Sequence, residues 1–272
     1  MRMLRSRTSL EPDDDYMLSS ASSTANNLCR SMTFHVDGNR TRAVLPHPEP
    51  AIRLYSHLDR AANAISSTLY MVDMLGYLPN LRHVAIEYVD WGFDDIFDQL
   101  RLMAFPDQVT RLDIKFSYSS ASLLPLADGL REHYVRRWHP HWSTPHVRHL
   151  CISGAPMHFV ADIVETCPGI ETLELDCPAR LEALAPLPSS VRTLVLRMPS
   201  GSVHRKSVEK WGLNAAVEAG LFFYPTRPRI VINSGPIEPS AWKEIQRLCK
   251  ASSIQLVHRP YAHVATEAFC SS

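Results

Sequence analysis

The chain has 272 residues, of which 45% are hydrophobic, so it can bury a sizeable core and disorder throughout is excluded. Its 28 Lys and Arg balance 28 Asp and Glu, and a formal net charge of zero removes the bulk attraction that drives nonspecific binding to nucleic acid or anionic membrane.

The first ten residues, MRMLRSRTSL, hold arginines but no apolar h-region and run at once into the acidic Glu11–Asp15, so no signal peptide is expected. No apolar run approaches the roughly 20 residues of a membrane-spanning helix. Cys29, Cys151, Cys167, Cys177, Cys249 and Cys270 form no CxxC pair, and several sit in apolar runs, as buried thiols do. These features favour an intracellular protein, cytoplasmic or nuclear, with no membrane partner.

Residues 1–30 are rich in Arg, Ser, Asp and Asn and read as a disordered tail. Residues 31–57 read as a short strand, Met32–Val36, followed by a linker carrying Pro46, Pro48 and Pro50. Residues 58–272 read as one α/β domain. It opens with an amphipathic helix over Leu58–Leu75, where Leu58, Ala61, Ala62, Ile65, Leu69, Val72 and Leu75 follow helical spacing.

A single pattern then returns five times: a proline, then apolar-x-x-apolar-x-apolar. It reads Leu81/Val84/Ile86 after Pro79, Val109/Leu112/Ile114 after Pro106, Val147/Leu150/Ile152 after Pro145, Ile170/Leu173/Leu175 after Pro168, and Val191/Leu194/Leu196 after Pro188. The first positions lie 28, 38, 23 and 21 residues apart, mostly within the roughly 20–29 residues of a leucine-rich repeat. Helical segments are expected between the strands at 94–103, 123–134 and 158–165, with a short turn at 181–184. Alternating strand and helix implies parallel strands joined by crossovers, here as a curved solenoid. Beyond Leu196 the pattern weakens into a helix over 203–219, strands at 229–233 and 254–258, and a helix over 239–250 that begins with proline. These read as degenerate repeats closing the core.

The junctions Leu78-Pro79-Asn80-Leu81 and Cys167-Pro168-Gly169-Ile170, each leading into a strand, resemble those of fungal F-box/leucine-rich-repeat proteins. The resemblance covers about 78–198 and loosely extends to 258. It implies a substrate-recognition module in a family whose N-terminal F-box docks on the Skp1 subunit of a ubiquitin ligase. No Leu-Pro-x-Glu helix opens this chain, and Leu45–Pro50 holds too many prolines for one, so the F-box is missing and no Skp1 docking is expected through residues 1–50.

Side chains alternate along a strand, so the residues between the apolar positions should pave the opposite face of the sheet in three rows. The first is His83, Arg111, His149, Thr172 and Thr193; the second Ala85, Asp113, Cys151, Glu174 and Val195; the third Glu87, Lys115, Ser153, Asp176 and Arg197. Charges of both signs interleave, which suits a protein or peptide partner better than a phosphate backbone. The insertion before Val147 adds Trp138 and Trp142, a residue type common at binding hot spots, at the edge of the rows. The histidines around it, His139, His141, His146 and His149, match no zinc module. No nucleophile elbow, HExxH, P-loop or GxGxxG occurs, so neither an enzyme nor a cofactor is expected. The function expected is a non-enzymatic interaction scaffold; the competing reading is an enzyme or small-molecule binder on another α/β fold.

Overall fold

The computed structural model describes residues 29–37, 75, 78–89, 105–117, 144–176, 180–198, 211–222, 227–234 and 239–260. The helices expected at 58–75, 94–103 and 123–134, and the loop bearing Trp138 and Trp142, lie outside them, apart from the buried, helical Leu75. Eight strands form one sheet: β1 (Ser31–Asp37), β2 (His83–Val89), β3 (Arg111–Ser117), β4 (His149–Ser153), β5 (Thr172–Asp176), β6 (Thr193–Arg197), β7 (Arg229–Ser234) and β8 (Gln255–Pro260). They pair in sequence order, and every pair is parallel. The fold is α/β, as expected.

The same turn sets up each of the five repeats. The amide of the first apolar residue donates to the carbonyl three residues back: Leu81 to Leu78, Val109 to Pro106, Val147 to Thr144, Ile170 to Cys167 and Val191 to Pro188. The next carbonyl along the chain then serves the following strand twice. Arg30 accepts from the amides of Arg82 and His83, Arg82 from Thr110 and Arg111, Thr110 from Arg148 and His149, Arg148 from Glu171 and Thr172, and Glu171 from Arg192 and Thr193. This fixes the register before each strand begins, and a parallel pair must otherwise find its register without help from a hairpin.

In that register the apolar rows coincide. Val84, Leu112, Leu150, Leu173, Leu194 and Ile230 form one wholly buried row, and Ile86, Ile114, Ile152, Leu175, Leu196 and Ile232 another. Beyond them Tyr88 stacks on Phe116 with centroids 5.6 Å apart, and Phe116 meets the edge of Phe159 at 5.4 Å.

Phe159 belongs to α1 (Met157–Glu165), which matches the expected segment and buries Met157, Phe159, Val160, Ile163 and Val164 in the same core. The Leu181–Leu184 turn is a single 3-10 turn burying Leu181 and Leu184. Helix α2 (Leu213–Glu218) is shorter than the stretch expected over 203–219, whose first residues fall outside those described. Helix α3 (Pro239–Ala251) begins with proline, where the missing amide costs nothing, and buries Ile245 and Cys249 with Trp242 and Leu248 half-buried beside them. No helix among the described residues is long and apolar enough to cross a membrane.

Two sequence boundaries move. Strand β1, set apart from the repeat domain as part of 31–57, is the first strand of the sheet, in register with β2 from Ser31↔His83 to Asp37↔Val89. Cys29 and Arg30, assigned to the tail, pack on the core and cap β2, respectively.

Candidate functional site

The helices and the core occupy one face of the sheet, and the three polar rows occupy the other. The register aligns them as the alternation requires: His83–Arg111–His149–Thr172–Thr193, Ala85–Asp113–Cys151–Glu174–Val195, and Glu87–Lys115–Ser153–Asp176–Arg197. Each row is longer than expected. Strand β1 adds Ser31, Thr33 and His35, and β7 and β8 add Arg229, Asn233, Gln255 and Arg259. These were missed because β1 has no proline-marked turn before it and β7 and β8 break the apolar pattern, with Arg227 and Ser253 at its first position and His258 at its last in β8.

The side chains of the face are tied into two networks. In the first, the hydroxyl of Ser31 lies 2.8 Å from His83 Nδ1, and His83 Nε2 lies 2.9 Å from Asp113 Oδ2. Arg111 forks onto the same carboxylate, Nε to Oδ1 at 2.9 Å and a terminal nitrogen to Oδ2 at 3.0 Å, and its guanidinium also lies 3.9 Å from Glu174. Glu174 in turn takes His149 at 3.0 Å and pairs with Arg197. In the second, Glu87 bridges His35 at 2.9 Å and Lys115 at 2.6 Å. Charge-assisted bonds of this kind hold both partners in place.

The middle row departs from the expectation of an exposed face. Cys151, Glu174 and Val231 are buried, and the side chain of Glu174 is only 4% exposed. The reason lies in neighbouring rows: the longer Arg111, His149 and Arg197 side chains close over the carboxylate. A layered charge distribution results. Each acid lies deeper than the bases it meets: Glu87 is 22% exposed beneath Lys115 at 59%, and Glu174 lies beneath Arg197 at 43%.

Protonation follows this layering. Burial alone would raise the Asp113 carboxyl, but hydrogen bonds from His83 and Arg111, with their charges, outweigh it and hold it below its ordinary value. Glu87 is likewise lowered, because Lys115 and His35 overcome its partial burial. Asp176 goes the other way. Burial and the nearby Glu174 and Asp113 charges raise it against the pull of Arg197 and Lys115. The thiol of Cys151, desolvated and next to Glu174, Asp113 and Asp176, is pushed up to about 12, which keeps it protonated and unreactive at neutral pH.

Of the histidines read near the insertion, His146 pairs with Asp107 at 3.0 Å and His149 with Glu174, while His139 and His141 lie outside the described residues. Among the described residues no three His, Cys, Asp or Glu side chains converge as a metal site would require.

At the end of the face where the strands begin, a second device recurs. The guanidinium of Arg30 donates to the carbonyl of Asn80 at 3.3 Å, that of Arg82 to Gln108 at 3.2 Å, and that of Arg148 to Gly169 at 2.9 Å. Each arginine sits just before a strand and clasps the turn of the next repeat. The sequence signal was available, since an arginine follows the first apolar position at Leu81-Arg82, Val147-Arg148 and Val191-Arg192.

Comparisons of the chain with protein-family models, with curated proteins and with solved structures find no match.

Proposed function

We propose that the chain is a leucine-rich-repeat-like solenoid acting as a non-enzymatic scaffold, which presents the open face of its sheet to a protein or peptide. One observation carries this reading: the polar side chains of the face are already tied together, through Asp113, Glu174 and Glu87, on strands whose register the shared turn carbonyls hold. A surface ordered before binding loses little side-chain entropy on binding, which favours recognition. The interleaved charges serve selectivity, because a mismatched partner meets like charge. The sequential order of the strands supports the solenoid, in which each unit packs only on its neighbours. In the family the repeats resemble, such a surface recruits substrates; this chain does so without Skp1 docking through residues 1–50, inside the cell, and without a cofactor.

A photo-crosslinking residue placed at Lys115, on the open face, should trap a partner from cell extract, while one at Lys243, exposed on α3, should not. Charge reversal at Lys115 should weaken capture without unfolding the chain, and Trp142→Ala should weaken it further if that ring is exposed. Adducts formed from Lys243 alone would overturn the reading.

A second reading, hydrolysis, is favoured by a single feature: the Ser31–His83–Asp113 chain joins a hydroxyl, an imidazole and a carboxylate in the order a general-base relay needs. Against it, the Arg111 fork already neutralises the Asp113 carboxylate and weakens its support of a charged imidazole. Turnover of an activated ester that disappears in Ser31→Ala would favour hydrolysis.

A further inference from the structure

We propose that the rim of the open face where the strands begin binds an extended acidic peptide segment of the partner, an inference that rests on the scaffold reading above. The residue just before each of the first seven strands and the first residue of each strand together include Arg30, Arg82, Arg111, Arg148, Arg192 and Arg229. His83 and His149 stand beside them, and Glu171 is the single carboxylate at those positions. In a chain whose acids and bases balance, this is a strong segregation of charge. All six arginines are exposed except Arg111, which is half-buried, and Arg111 alone among them pairs with an acid among the described residues.

The geometry favours anion recognition. Arg30, Arg82 and Arg148 each place one donor on a turn carbonyl, which fixes the guanidinium and leaves further N–H groups for a ligand. A guanidinium fork fits a carboxylate through two bonds. Strands about 4.8 Å apart carry the rim over about 29 Å from β1 to β7, which an extended peptide of about nine residues would span.

A phosphate-bearing strand would meet the same arginines, yet the outward positions of the described strands hold no Phe, Tyr or Trp on which bases could stack. Single-stranded nucleic acid draws much of its affinity from such stacking. The carboxylates of an acidic peptide need none.

The test uses the full chain and labelled probes of about nine residues, oligoglutamate and oligolysine, with a single-stranded oligonucleotide of matching charge, read by fluorescence anisotropy. Oligoglutamate should bind more tightly than either other probe, and its affinity should fall as salt rises from low to physiological. Arg192→Glu combined with Arg229→Glu should weaken binding at least about tenfold, with an unchanged circular dichroism spectrum. Should that pair unfold the chain, Arg192→Gln alone carries the test at about threefold, since Arg192 clasps no turn among the described residues. Equal binding of oligolysine, tighter binding of the oligonucleotide, or rim variants that bind oligoglutamate as wild type does would each overturn the proposal. Failure of oligoglutamate while Lys115 cross-links still form removes the acidic partner and leaves the scaffold reading standing. Failure of both removes both.

Discussion

Replacing Glu174 with glutamine keeps the shape of the side chain and deletes its charge. In the folded protein that charge is almost wholly buried and faces Arg197, His149 at 3.0 Å and Arg111 at 3.9 Å. A unit charge pair near 4 Å attracts by about 4 kcal/mol at an effective dielectric of 20, and desolvation of the carboxylate offsets several kcal/mol of the total. Breaking a fully buried pair costs about 3–5 kcal/mol. Here the two arginines are a third or more exposed, Arg111 at 33% and Arg197 at 43%, so water recovers part of their hydration once the acid is neutral. Glu174→Gln should therefore cost about 1–3 kcal/mol, measured by urea unfolding at neutral pH. A double-mutant cycle with Arg197→Met isolates the pair, and a coupling energy of about 0.5 kcal/mol or more is expected. A loss below about 0.5 kcal/mol, or losses that simply add, would refute the view that Glu174 organises the face.

Leu173→Ala empties a wholly buried position between Leu150 and Leu194 and should cost about 2–5 kcal/mol in the same assay; less than about 1 kcal/mol would deny the shared seam. Gly154 has φ of 75°, and a Cβ there would collide with the Phe116 carbonyl, so Gly154→Ala should cost about 1–3 kcal/mol. Asp176→Asn should stabilise the fold at neutral pH, by up to about 1 kcal/mol. An acid whose folded pKa is raised opposes folding once pH exceeds its unfolded value, so the gain should vanish in acid below the ordinary carboxylate range. Asp113 has the opposite sign: its lowered pKa contributes stability that is present above the ordinary carboxylate value and lost as pH falls through the folded one, so Asp113→Asn should lose stability in urea unfolding at neutral pH, and that loss should disappear in acid.

The strands β2 to β6, their register and the identity of the three rows were legible because two signals coincide at each repeat: a proline-marked turn that starts the strand and a period of two that assigns its faces. Strand β1 carries only the second signal. Its partner is far along the chain, since Ser31 meets His83 across 52 residues, and no local cue announces a pairing over that distance. The depth of Glu174 was illegible for a related reason. Alternation says which face a residue takes, while burial depends on how long its neighbours are, and those neighbours come from β3, β4 and β6. The arginine clasps needed both kinds of information, a residue at a repeated position and a carbonyl on the next turn.

Because the strands follow one another in chain order, each is bonded only to the unit before and the unit after it. The chain can therefore change length in whole steps. Removing the stretch from Thr172 through Arg192 would bring the Thr193 strand against His149, with Leu194 beside Leu150 and Leu196 beside Ile152, the same apolar contacts that Leu173 and Leu175 make now. Duplicating it would add a strand of matching register and lengthen the face by about 4.8 Å. A gene for such a protein can gain or lose sheet face by unequal exchange within itself, and its descendants would differ in length before they differed in fold.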